Sequence, residues 1–191
     1  MLRRLNLLMR LKAFADDRRG VSALEFAFVA PILIMLYLGL AELTLGMMAS
    51  RRTAHLAATI GDLAAQSESL TTANINDLFD IGDNLLAPFD TGTNLKIILS
   101  SVKMAKDKNG AEKATVTWSV PYHATAHQPG DLVPAVTTTQ ISDGESLIMT
   151  EVEYDYDSPI GHFLPGQTAF TYTYYHHPRN GSEVACTDCG S

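Results

Sequence analysis

The chain has 191 residues, 46% hydrophobic and 18% charged, which gives room for one membrane helix and one modest globular domain but not for two such domains. Its formal charge is -7 and no basic patch with interleaved aromatics follows Arg52, so the sequence argues against nucleic-acid binding, which needs a basic face for phosphates.

Residues 1–20 read as a basic leader, with Arg3, Arg4, Arg10, Lys12, Arg18 and Arg19 against Asp16 and Asp17. Losing those six cations and two anions would take the chain from -7 to -11. Leu2, Leu5, Leu8, Met9 and Phe14 within it fit equally a short amphipathic stretch on an anionic membrane and a plain polar leader. Basic flanks stay in the cytoplasm, so the rest of the chain is expected on the exported side, the periplasm of a Gram-negative cell.

A membrane helix is predicted over 21–50. Phe26 to Ala41 are sixteen residues without a charge, short of the roughly twenty that span a bilayer, and Leu43, Leu45, Met47 and Met48 supply the rest. Glu42 is then an acidic group inside that segment or near its exported edge, and Arg51 and Arg52 mark the exit. Pro31 removes one backbone hydrogen bond, which membrane helices tolerate when neighbours satisfy the freed carbonyl. The helical period continues in Leu56, Ile60, Leu63 and Ala64, so the helix is expected to protrude from the membrane.

A second helix is predicted after Thr71-Thr72-Ala73-Asn74, an N-cap signature, through Ile75, Leu78, Phe79, Leu85 and Leu86 to a stop at Pro88. Residues 51–90 are thus a helical part and 91–191 a β part. Leu95 to Val102 and Ala114 to Val120 flank Asp107-Lys108-Asn109-Gly110, and Asn-Gly between two such runs signals a hairpin. Two more strands are predicted at Ser146 to Tyr156 and Thr168 to His176, joined to the hairpin by a long loop from Tyr122 to Gly144. Helices first and an antiparallel sheet of about four strands afterwards make an α+β fold.

Cys186 and Cys189 have the spacing of a redox dithiol, but they lie at the chain's end with Asp188 between them, which disfavours a thiolate. A disulfide tying the tail is the expectation in an oxidising compartment, and one such pair is too few ligands for a zinc site. His123, His127, His162, His176 and His177 lack a companion carboxylate or cysteine at ligand spacing, so no metal is expected. Glu153, Asp155 and Asp157 alternate along one strand and read as a solvated face rather than paired acid–base catalysis, with a calcium site on the exported side as a lesser alternative. No nucleophile elbow or phosphate loop is present, so neither catalysis, nor a cofactor, nor a small-molecule substrate is expected.

One carboxylate remains without an account. Glu25 opens the apolar segment, where a charge costs roughly 2.5 kcal/mol or more at a helix centre, and a partner has to be named. If a peptidase cuts after Gly20, the new ammonium of Val21 pairs with a Glu25 carboxylate, its own or a neighbour's. A basic leader, Gly20 before the cut, Glu25 five residues after it and then a hydrophobic helix resemble the prepilin peptidase site of type IV pilins and pseudopilins. The string Arg19 to Pro31, with Leu38-Gly39-Leu40-Ala41-Glu42, resembles more narrowly the TadE-like family, pseudopilin-like minor components of tight-adherence (Flp) pilus assembly systems. Val21 stands where type IV pilins carry Phe, and Phe26 where major Flp-type pilins carry Tyr, which argues against a major pilin. The resemblance spans about thirty residues. It implies a non-catalytic, single-pass inner-membrane protein with a pilin-like periplasmic domain, cut by prepilin peptidase and packed against other pilin-like subunits and the assembly machinery. The alternatives are an uncleaved anchor protein whose periplasmic domain binds another envelope partner and, more distantly, a membrane-tethered thiol oxidoreductase.

Overall fold

The apolar run from Val21 and the amphipathic stripe beyond Arg52 join into one helix, α1 (Val21–Ala65), in the computed structural model, which describes residues 20–159, 161 and 168–189. The expectations for the leader and for His162 fall outside the described residues. At 1.5 Å per residue, the 45 residues of α1 reach about 67 Å. The helix continues through Pro31.

After β1 (Ser69–Leu70) comes α2 (Thr72–Leu86). Its start is fixed by a reciprocal cap: Thr71 Oγ1 accepts from the Asn74 amide at 3.2 Å, and Asn74 Oδ1 accepts from the Thr71 amide at 3.1 Å. Its last turn is closed from outside. The Arg52 guanidinium donates to the carbonyls of Leu85, at 3.3 Å, and of Ala87.

Four long strands follow: β2 (Leu95–Lys106), β3 (Glu112–Tyr122), β4 (Ser146–Tyr156) and β5 (Thr168–His176). They form one sheet in the order β3-β2-β4-β5 with every neighbouring pair antiparallel. The α+β class with a second helix and a four-stranded antiparallel sheet therefore stands as the sequence predicts. In the β2–β3 turn, Asp107 Oδ1 accepts from the amides of Asn109 and Ala111, and Gly110 takes the positive φ of +81° that the turn demands. Lys113 at 2.8 Å, with those two amides, holds the Asp107 carboxyl down at about 2.

The sheet is covered on both faces. Leu56, Ala57, Ile60 and Ala64 of α1 and Ile75, Phe79 and Leu86 of α2 pack on Leu95, Ile97, Leu99, Trp118, Ile148 and Val152, so the helical and β parts share one core. Full burial of a side chain such as Leu56 or Ile60 contributes roughly 1.5–3 kcal/mol. On the far face, Val102, Met104, Ala114, Leu147 and Met149 pack under Val136 and Ile141. Those last two residues belong to the segment predicted as a plain loop. It is a cover, anchored by a bridge from Leu132 to Thr115.

The alternation Ala114, Val116, Trp118, Val120 suggests a single apolar face, and the structure divides it. Ser101 pairs with Trp118 and Val102 with Val116, leaving Thr117 unopposed. This bulge turns Trp118 and Val120 toward the helices and Ala114 toward the far face. A short tail strand, β6 (Ala185–Cys186), runs parallel to β1, and the Trp118 indole donates to Val184 O at 3.0 Å beside it.

Candidate functional site

Three regions bear on function: the bare stretch of α1, its junction with the domain, and the tail. From Val21 to Leu40 nearly every side chain of α1 is exposed, with Phe26 and Phe28 each at 70%. Twenty helical residues rise about 30 Å, the thickness of bilayer hydrocarbon. By length and composition α1 qualifies to cross a membrane, and none of its most apolar window is buried. Gly20 stands at the helix's N-cap without a side-chain cap, in open space where an added Cβ would meet nothing within 4 Å. Glu25, also exposed, lies one turn beyond Val21 on the same side of the helix.

The domain closes on α1 at Glu42, which is fully buried. Burial pushes the Tyr156 phenol up, and the nearby Glu42 carboxylate acts in the same direction. Gly46 and Ala49 are buried one and two turns later, small enough for close packing, and Ser50 Oγ lies 2.6 Å from Tyr172 OH on β5. Glu42 thus belongs to the seam between helix and sheet. Periodicity along the sequence does not reveal this, because the Tyr156 phenol that feels the Glu42 charge lies more than a hundred positions later. On the opposite side of the helix, Leu43 and Met47 stay half exposed, followed by exposed Arg51 and His55.

At the tail, Cys186 and Cys189 are joined, with Cα atoms 5.5 Å apart. Asp188 Oδ1 accepts from the Thr72 amide at 2.7 Å, and the Thr187 amide donates to Leu70 O. The loop so closed sits on the N-terminus of α2, where a carboxylate is favoured by the helix dipole.

The histidines are dispersed. His123 stacks on Tyr122 with ring centres 4.1 Å apart, His127 Nε2 lies 2.5 Å from Glu151 Oε2, His176 packs under α1, and His177 is exposed. On the far face, Lys96 Nζ sits 2.7 Å from Glu153 and 3.0 Å from Asp155, which raises the lysine's pKa and answers the two carboxylates with an ammonium. Among the described residues, one cluster brings three ligand-type side chains together, Cys186, Asp188 and Cys189, and its two sulfurs are already bonded to each other. Chemically, the molecule offers a long lipophilic rod, a buried acid at the seam and a clamped tail.

A family model described as TadE-like protein matches residues 20–61. The matched segment runs from Gly20 to Gly61, nearly the whole of α1, so the similarity to the TadE-like family is confined to this helix and the sheet domain lies outside the match. No curated protein and no solved structure matches the chain.

Proposed function

We propose that the protein is a non-catalytic, pseudopilin-like component of a tight-adherence pilus assembly system, on the premise that its TadE-like segment does what the family does. The carrying observation is that this segment coincides with α1, whose first twenty residues are bare and end where the domain begins. In this reading 21–50 crosses the inner membrane, with bare Val21–Leu40 in the hydrocarbon and the turns up to Arg51 and Arg52 in the headgroup layer, residues 1–20 in the cytoplasm and the sheet domain in the periplasm. Prepilin peptidase cuts between Gly20 and Val21, and the exposed Glu25 meets the new amine of its own or a neighbouring subunit while the helix packs against other pilin-like helices. A charge pair in hydrocarbon offsets its desolvation only when both partners are present. The tail disulfide Cys186–Cys189 has a structural role, holding β6 and Asp188 against α2.

Glu25→Ala is expected to leave a membrane-inserted protein that fails to enter its assembly, seen as loss of pilus output with the protein still in the membrane fraction. Normal output from that variant removes Glu25 from the mechanism. Intact-mass measurement of protein extracted from the membrane separates processing from an uncleaved anchor, because cleavage removes the first twenty residues. A full-length mass in the native envelope leaves the anchor reading in place.

A further inference from the structure

Beside the point where α1 leaves its bare stretch, a groove of about 730 Å³ opens between that helix and the end of α2. Met47, Met48 and Leu85 line it together with Arg51, Arg52 and His55. We propose that this groove seats the phosphodiester headgroup of an anionic phospholipid, with the upper part of an acyl chain along the methionines. The inference rests on the membrane-anchored reading above and adds to it a defined lipid site.

The first argument is continuity. Leu36, Leu40, Leu43 and Met47 recur at three- and four-residue spacing, all exposed, and Arg51 and His55 continue the same ladder at four-residue steps. The apolar surface of the bare helix therefore runs without interruption up to the groove, on the side of α1 that the domain leaves uncovered. Helical side chains lean toward their helix's N-terminus, so Arg51 and His55 reach back toward the bilayer.

Charge is the second. Arg51 and Arg52 are the only lysines or arginines in the 45 residues of α1. Cations flanking a span belong by preference on the cytoplasmic side, so a pair at the exported end requires a local reason. Arg52 has one, since it caps α2 through the Leu85 and Ala87 carbonyls. Arg51 has no ion pair or hydrogen bond among the described residues, although the chain as a whole is acidic. His55 meets Thr59 Oγ1 through Nδ1 at 3.5 Å, which leaves Nε2 for a ligand. A phosphodiester would satisfy the Arg51 guanidinium and the His55 imidazole together.

The test uses the full chain in phosphatidylcholine vesicles containing a minority of phosphatidylglycerol, floated, extracted in mild detergent and weighed intact for retained lipid. Wild type is expected to keep phosphatidylglycerol in preference to phosphatidylcholine, and Arg51→Gln to reduce that retention about fivefold, the worth of one cation at an anionic surface. His55→Gln should reduce it further in the double variant. Equal retention of both lipids by wild type, or undiminished retention by the double variant, overturns the site. Retention abolished by inorganic phosphate also overturns it, in favour of a soluble-anion site. Flotation without retained lipid removes the headgroup site alone, whereas failure to float removes the anchor reading and the site with it.

Discussion

At Gly61, α1 lies close against the sheet. A Cβ there would stand 2.5 Å from His176 Nδ1 and 2.6 Å from Thr150 Oγ1, well inside contact distance. Gly61→Ala is therefore expected to destabilise the domain by about 1–3 kcal/mol, the usual cost of overpacking, measured as a lowered urea midpoint of the solubilised full chain. The same contact makes His176 a titration sensor. Burial lowers its pKa, Arg179 lowers it further, and Asp62 opposes them, so the folded state holds the ring neutral more firmly than the unfolded chain does. Below about pH 6.5 the unfolded state takes the proton first. Stability is thus complete above that pH and falls as pH drops toward the folded-state pKa. His176→Phe should flatten this part of the pH–stability profile, and an unchanged slope in that variant would locate the sensitivity elsewhere. Neither half of this contact is legible in sequence. Gly61 and His176 are 115 positions apart, and nothing local to either announces a neighbour.

At the level of single elements, local chemistry is decisive wherever it acts alone. Thr71 with Asn74 is a cap in the sequence and a cap in the structure, and Thr71→Ala is expected to cost about 1 kcal/mol, read by the same denaturation measurement. β4 and β5 begin and end at the residues their β-branched and aromatic content suggests, and the Asn109-Gly110 turn joins β2 to β3. What fails is inference across a defect. Thr117 adds one residue to β3, and beyond it the period of two changes face, so residues that look like one stripe serve two cores. The 123–145 segment is rich in proline and threonine and has no strand pattern, yet Val136 and Ile141 in it are buried. Burial of irregular chain follows from the surface it covers, and that surface is assembled from β2, β3 and β4. The parallel pairing of β1 with β6 is hidden for the same reason, because each is two residues long.

For the molecule as a whole, α1 divides its labour along its length: apolar and exposed to Leu40, then packed against the sheet from Glu42 onward. The apolar span is plain in the sequence, whereas the place where the domain takes hold of the helix is not, since Leu43, Leu45, Met47 and Met48 look as lipophilic as what precedes them. A chain starting after Leu40 is expected to move from the membrane fraction to the soluble fraction while keeping the unfolding midpoint of the parent, because none of the described residues it loses belongs to either core. A markedly lower midpoint would show that the bare stretch supports the domain.

The candidate span and the domain are joined by one unbroken helix, α1, and this has a mechanical corollary. A tilt or rotation applied to Val21–Leu40 therefore bears on Leu56 and Ile60 through the same helix, and through them on the strands beneath. A flexible tether would let the folded head swing freely above the membrane. Here the head's attitude follows the direction of its shaft, so whatever turns the shaft also aims the head.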